Sequence, residues 1–336
     1  MASKFNNLRI NNLDAGAEFE KKIVFFLENW FSDSEKVEVQ TSGSTGIPKV
    51  FEIEKKRMVN SAKMTCDFLG LKEGDTALLC LPVEYISGKM MLVRSAIRHL
   101  ELFISEPSVK PLKNLDREID FCALTPLQVE HSLDRLPLVK NLIIGGAAVS
   151  ESLKQKISGS ENHIYETYGM SETLSHIALK QLAPVSEDYF TAFDQVSIAT
   201  DDRGCLKIYA PELNEEVLQT NDLVEIINEK QFRFLGRADN VINSGGAKIF
   251  PEQLETVVKR EIPNEAVFLG LEDEILGQKL ILVIEGEDSD KIREVIQNIP
   301  FEKSFHHPKD IIFISEIPRT PNGKVSRIGL KEKVSQ

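Results

Sequence analysis

Three apolar runs, Ala77-Leu78-Leu79-Cys80-Leu81, Phe121-Cys122-Ala123-Leu124 and Leu142-Ile143-Ile144, constrain the fold most. Each is short and continuous, as in a strand buried on both faces, and helical patterns separate them. Strand alternating with helix predicts an α/β sheet. Before the first run, Phe19, Ile23, Phe26, Leu27 and Trp30 recur at helical spacing, and Val37-Glu38-Val39-Gln40 alternates like a short strand. Between about 196 and 237 the texture changes to short β segments, with a hairpin predicted from Asp222–Ile227 and Gln231–Leu235 around Asn228-Glu229-Lys230. Beyond Gly236-Arg237-Ala238-Asp239 the pattern restarts: a helix from Pro251, strands near Ala266 and Leu280, a helix from Ser289 and a strand at Ile311. The expected architecture is therefore a large N-terminal α/β domain with a β-rich subdomain over 1–238 and a small α+β domain over 239–336.

At 336 residues, 42% hydrophobic and 27% charged, the chain can bury real cores. Its net charge of −12 disfavours nonspecific attraction to nucleic acid or anionic membrane, so an anionic ligand needs a focused pocket. Cys66, Cys80, Cys122 and Cys205 are scattered, which suits reduced thiols. Neither a membrane span nor a signal-peptide core is evident, so a soluble cytoplasmic protein is expected. A homodimer is compatible with the sequence.

Four segments carry candidate chemistry. Thr41-Ser42-Gly43-Ser44-Thr45-Gly46-Ile47-Pro48-Lys49 packs hydroxyls and glycines where backbone N–H and side-chain O–H groups could surround phosphate oxygens, with Lys49 adding charge. It is not a P-loop, because Pro48 precedes the lysine; a surface linker would look similar. Tyr165-Glu166-Thr167-Tyr168-Gly169-Met170-Ser171-Glu172-Thr173 joins rings, a glycine and a carboxylate at a strand end, where α/β folds bind ligands. Glu172 is a magnesium-ligand candidate, or simply a solvated charge. The run from Gly236 to Glu255 contains Gly245-Gly246, which permit a tight turn or close ligand approach, and Pro251 fits a first helical turn. Pro318-Arg319-Thr320-Pro321-Asn322-Gly323-Lys324-Val325 presents one lysine on a turn.

In order and spacing these segments resemble the adenylate-forming superfamily of acyl-CoA synthetases, peptide-synthetase adenylation domains and luciferases. The hallmarks are Thr41–Lys49, Tyr168-Gly-Met-Ser-Glu-Thr173, Thr220-Asn-Asp222, Gly236-Arg-Ala-Asp239 with Gly245-Gly-Ala-Lys248, and Pro318–Lys324. The segments from Leu81 to Arg94 and Gly145-Gly-Ala-Ala-Val149 are most similar to those of o-succinylbenzoate–CoA ligases of the menaquinone pathway.

The resemblance implies an enzyme that activates a carboxylic acid with ATP, then transfers the acyl group to coenzyme A, with Mg2+ present and a mobile C-terminal domain. It implies catalytic roles for Lys324 and Glu172. ATP would be held by Thr41, Ser42, Gly43, Ser44, Thr45, Gly46, Lys49, Gly145, Gly146, Ala147, Tyr168, Gly169, Met170, Ser171, Thr173, Asp222 and Arg237. Acid and CoA would be met by Tyr85, Ser87, Gly88, Lys89, Arg94, Ser175, Gly245, Gly246 and Lys248, and the metal by Glu172 and Thr45. Lys89 and Arg94 suit an acid with a second carboxylate, although two ordinary helix charges would look the same. A carrier-protein thiol as acceptor, or a noncatalytic nucleotide-binding relative, stays open. Three departures stand out: few residues precede Thr41, implying an abbreviated fold; Asn221 replaces a usual glycine; and Tyr85 stands where many relatives have histidine.

Overall fold

The computed structural model describes residues 8–40, 50–319 and 325–335. In chain order the first half contains β1 (Arg9–Asn12), α1 (Ala17–Trp30), β2 (Lys36–Gln40), β3 (Val50–Glu54), α2 (Lys55–Phe68), β4 (Thr76–Leu79), α3 (Ile86–Arg98), β5 (Glu101–Ile104), β6 (Ile119–Leu124), α4 (Pro126–Glu130), β7 (Val139–Ile144), α5 (Glu151–Ile157) and β8 (His163–Gly169). Then come β9 (His176–Ala183), β10 (Phe190–Ala192), β11 (Ser197–Thr200), β12 (Cys205–Ala210), β13 (Asn214–Ile226) and β14 (Gln231–Arg237).

A 12-stranded sheet runs β1-β5-β4-β6-β7-β8-β9-β10-β14-β13-β12-β11. The strands from β1 to β8 in that order pair parallel, and every pairing beyond β8 is antiparallel. The continuous apolar runs feed both faces of the parallel half. Ala77, Leu79, Phe121, Ala123 and Ile143 join the cluster that holds the buried faces of α1, α2 and α3. Leu78, Cys122, Leu124, Leu142 and Ile144 join the cluster with Val129 of α4 and Leu153 and Ile157 of α5. Side-chain alternation along a strand produces that division, and helices on both sides give three layers.

From β4 the chain goes one way to β5 and the other way to β6, so the order reverses between β4 and β6. Crevices at the carboxyl ends of strands beside such a reversal are the usual ligand sites of open α/β sheets. The predicted hairpin is present as β13 and β14, paired from Asp222↔Arg237 to Ile226↔Phe232 with a register shift between Leu223 and Val224.

The remaining elements are β15 (Ile242–Ser244), β16 (Ala247–Ile249), α6 (Pro251–Glu261), β17 (Ala266–Asp273), β18 (Gly277–Glu285), α7 (Asp290–Asn298), β19 (Asp310–Ile314) and α8 (Arg327–Val334). They form a separate five-stranded sheet centred on β18. One of its faces packs on α6 and α7 through Leu254, Val258 and Ile296, and the other on α8 through Leu330. Pro251 opens α6, where its missing N–H costs nothing. No described helix is long and apolar enough to cross a membrane.

Candidate active site

Three of the expected site segments, far apart in sequence, lie at the carboxyl ends of parallel strands in one half of the sheet, β4, β7 and β8. Tyr85 follows β4 as the residue before α3, Gly145 follows β7, and Gly169 ends β8. Thr41–Lys49 and Lys324 lie outside the described residues. Gln40, the last described residue before the former, bridges Tyr85 through its backbone.

Backbone proximity explains several glycines. A Cβ on Gly145 would come within 2.9 Å of Thr167 Oγ1, and one on Gly169 within 2.5 Å of His176 Cα. Gly146 adopts φ +87, and together with Ala147 it is exposed, leaving the turn after β7 open. Gly88 has a packing reason of its own: a Cβ there would lie 2.3 Å from the Pro82 carbonyl oxygen. Ser87 beside it is exposed.

Tyr168, Asp222 and Arg237 come together across three strands. Tyr168 donates its hydroxyl to Asp222 Oδ2 at 2.5 Å, and Arg237 Nη1 donates to Asp222 Oδ1 at 3.1 Å. The Tyr168 ring packs against Phe190 and Phe232, at centroid distances of 5.5 and 5.0 Å, and these two rings stack on each other. Burial, then the adjacent Asp222 carboxylate, push the phenol well above its ordinary value, so it remains a donor. Asp222 is buried, and among the described residues one side-chain donor engages each of its oxygens, which leaves lone pairs for further donors. Arg237 also pairs with Asp239 at 3.0 Å, and Asn221 Nδ2 reaches the same carboxylate at 3.2 Å.

After β8 the chain makes a 3₁₀ turn over Ser171–Thr173, with Met170 N–H donating to Thr173 Oγ1 at 3.0 Å. Ser171 and Glu172 are exposed. Among the described residues the Glu172 carboxylate has no ion pair; only its backbone carbonyl is engaged, by Asn214. Leu174 follows at φ 67, ψ −48, and Ser175 N–H closes onto Thr173 O at 2.7 Å. This is a γ-turn of the strained hand, a conformation that costs roughly 1–3 kcal/mol and persists only where surroundings impose it. It sets Ser175 facing α3.

Lys89 and Arg94 have different surroundings. Lys89 Nζ donates to the Glu38 carbonyl at 2.7 Å and lies over the Phe26 ring. Arg94 is 2% exposed, donates to Ser175 Oγ at 3.3 Å and to Met91 Sδ at 3.9 Å, and leaves its Nε without a hydrogen-bond partner. No carboxylate pairs with it among the described residues. Burial brings the guanidinium down to about 10, so it still carries its charge at neutral pH. A buried cation without a counter-ion is costly, which makes this a place to receive an anion.

His176, at the start of β9, is a residue that sequence reasoning missed; nothing in its neighbours distinguished it from a core histidine. Its Nε2 lies 3.0 Å from Thr65 Oγ1 and its Nδ1 3.3 Å from Ser175 Oγ. Burial, then the Arg94 charge, hold the imidazole well below its ordinary range, so it is neutral.

Gly245 and Gly246 form the turn of the β15–β16 hairpin at φ 57 and 82, with Lys248 exposed on β16. A two-residue turn with both φ positive matches the twist of its strands. A Cβ on Gly236, at φ +150, would lie 2.6 Å from Glu252 Oε2, so β14 and α6 touch closely.

The family model for AMP-binding enzymes matches residues 39–196. The structure of an acyl-CoA synthetase (AMP-forming)/AMP-acid ligase II-like protein from Dyadobacter fermentans is 35% identical, with a TM-score of 0.67 and 95% of each chain covered. The 2-succinylbenzoate–CoA ligase of Listeria monocytogenes is 26% identical over 95% of this chain and 74% of that relative. The o-succinylbenzoate CoA synthetase of Bacillus subtilis, solved with its acyl-adenylate intermediate, shares the fold at a TM-score of 0.70 and 20% identity, covering that structure partly.

Proposed function

The chain belongs to the AMP-binding enzyme family of AMP-forming acyl-CoA synthetases and AMP-acid ligases, and from that premise we propose that it is an ATP-dependent carboxylic acid–CoA ligase whose acid is o-succinylbenzoate. The observation that carries the acid is Arg94, a buried cation with a free Nε and no carboxylate partner among the described residues, held against Ser175. An aromatic acid with a second carboxylate supplies the missing counter-ion and leaves its other carboxylate free to react.

The reaction runs in two halves. A carboxylate oxygen of the acid attacks the α-phosphorus of ATP and expels pyrophosphate, forming the acyl-adenylate. The thiolate of CoA then attacks the acyl carbon and expels AMP, giving o-succinylbenzoyl-CoA. Lys324 is assigned to the α-phosphate and attacking carboxylate, where crowded negative charge rewards a cation in the transition state more than in the ground state. Thr41, Ser42, Gly43, Ser44, Thr45, Gly46 and Lys49 are assigned to the β and γ phosphates. Asp222 and Arg237 serve the ribose hydroxyls, the carboxylate accepting from them through its remaining lone pairs. The open turn at Gly145, Gly146 and Ala147, with Tyr168, serves the adenine.

Glu172 and Thr45 are the residues assigned to Mg2+. The exposed Glu172 carboxylate, without an ion pair among the described residues, fits a hard cation that prefers oxygen donors. When bound, the ion neutralises phosphate charge. The five-stranded sheet and its helices, residues 239–336, act as a lid that turns about Asp239 and brings Gly245, Gly246 and Lys248 to the CoA arm, separating two active sites that cannot coexist.

The test is pyrophosphate release over a panel of carboxylic acids, with and without CoA. Release that depends on o-succinylbenzoate, with thioester appearing only when CoA is added, is expected. Release with no acid in the panel would overturn the ligase reading, and preference for a fatty or amino acid would overturn the choice of substrate.

A further inference from the structure

Behind Ser175 runs a buried chain of hydrogen bonds that the two half-reactions do not use. Thr65 Oγ1 donates to Ser61 O at 3.2 Å within α2, which commits its only proton. Toward His176 Nε2, 3.0 Å away, Thr65 therefore accepts, and Nε2 carries the imidazole proton. A neutral imidazole so protonated has a bare Nδ1, which accepts from Ser175 Oγ at 3.3 Å. With its proton turned to His176, Ser175 offers only lone pairs to the other side, where Arg94 Nη2 donates to it at 3.3 Å. Every donor in the series Arg94, Ser175, His176, Thr65, Ser61 points the same way. Thr65 is completely buried, Arg94 is 2% and His176 8% exposed, so water does not substitute for the Thr65–His176 link, while Ser175 at the near end is half-buried. The strained turn at Leu174 independently holds Ser175 at this place.

We propose that His176 is a positioning residue for the acid subsite: acting through Ser175, it keeps Arg94 Nη2 anchored and the unpartnered Nε directed toward the second carboxylate of the acid. Without the Nδ1 acceptor the Ser175 hydroxyl is free to rotate, its proton competes with Arg94, and the guanidinium loses its fixed direction. The inference rests on the proposed preference for an acid with two carboxylates.

Steady-state kinetics on His176→Phe, His176→Asn and the wild type test it, with o-succinylbenzoate and with an aryl acid lacking the second carboxylate. In His176→Phe, KM for the two-carboxylate acid is expected to rise at least about tenfold, while KM for ATP and the constants for the one-carboxylate acid stay near wild type. His176→Asn, whose amide oxygen stands near the Nδ1 position, is expected to restore most of the difference. Thr65→Val, which removes the far acceptor, should show the same selective loss in weaker form, and it decides the matter if His176→Phe does not fold. Equal losses for both acids, or no rescue by asparagine, would overturn the role of His176. A wild type indifferent to the second carboxylate would instead overturn the substrate reading itself.

Discussion

Arg260 on α6 donates through Nε and Nη2 to Glu151 Oε2 on α5, at 3.1 and 3.0 Å. This joins the small sheet to the helix that follows the Gly145–Ala147 turn. The pair is half exposed on the arginine side, so its contribution is about 1 kcal/mol or less and salt-sensitive. Such a contact can hold one orientation without preventing another. Arg260→Ala is expected to broaden the interdomain distance distribution seen by small-angle scattering, as should high salt on the wild type. An unchanged profile in both would show that the clasp does not restrain the small unit.

Glu255 receives both Arg327 Nη2 contacts at 2.8 Å and the Phe268 N–H at 2.8 Å. Burial nonetheless outweighs Arg327 and raises its carboxyl from an ordinary 4.5 to about 7. A carboxyl raised by folding contributes stability that is full below its unfolded value and is lost as pH climbs through its folded one. The wild type should therefore lose up to about 3 kcal/mol relative to Glu255→Gln between pH 4.5 and 7.5. Urea titrations at several pH values read this; parallel pH profiles for the two proteins would refute it.

Alanine at Gly88 has nowhere to put its methyl, because the Pro82 carbonyl stands 2.3 Å from the Cβ position. Overpacking of this kind costs about 1–3 kcal/mol. The variant should melt several degrees lower, and wild-type thermal stability combined with a raised KM for acid would show that Gly88 serves binding instead.

Removing Asp222 leaves the Tyr168 hydroxyl without its acceptor and Arg237 with Asp239 alone. Asp222→Ala is expected to raise KM for ATP by about tenfold or more, whereas Tyr168→Phe, which keeps the ring against Phe190 and Phe232, should cost only a few-fold. Equal effects from the two would place the energy in the hydroxyl and not in the carboxylate.

Local chemistry made much of this readable in advance. The β13–β14 hairpin, the helix opening at Pro251 and the Gly245-Gly246 turn each depend on residues that touch in sequence, so alternation, a missing N–H and tolerance of positive φ sufficed to find them. Lys89 and Arg94 could not be told apart in that way. Five residues apart on α3, they project about 140° apart around the axis. Only the packing of α3 on the sheet decides that one reaches a backbone carbonyl of β2 while the other is sealed beside Ser175.

The sequence by itself determined the alternating α/β order, the two sheets' separate patterns and the resemblance to adenylate-forming enzymes, because these are written in hydrophobic period and in short contiguous motifs. The tertiary structure alone decided that Tyr168, Asp222 and Arg237 form one cluster, that Arg94 is buried with no carboxylate partner among the described residues, and that His176 stands behind Ser175. These depend on strand register and on which helix face turns inward, and therefore on contacts between residues up to 111 positions apart.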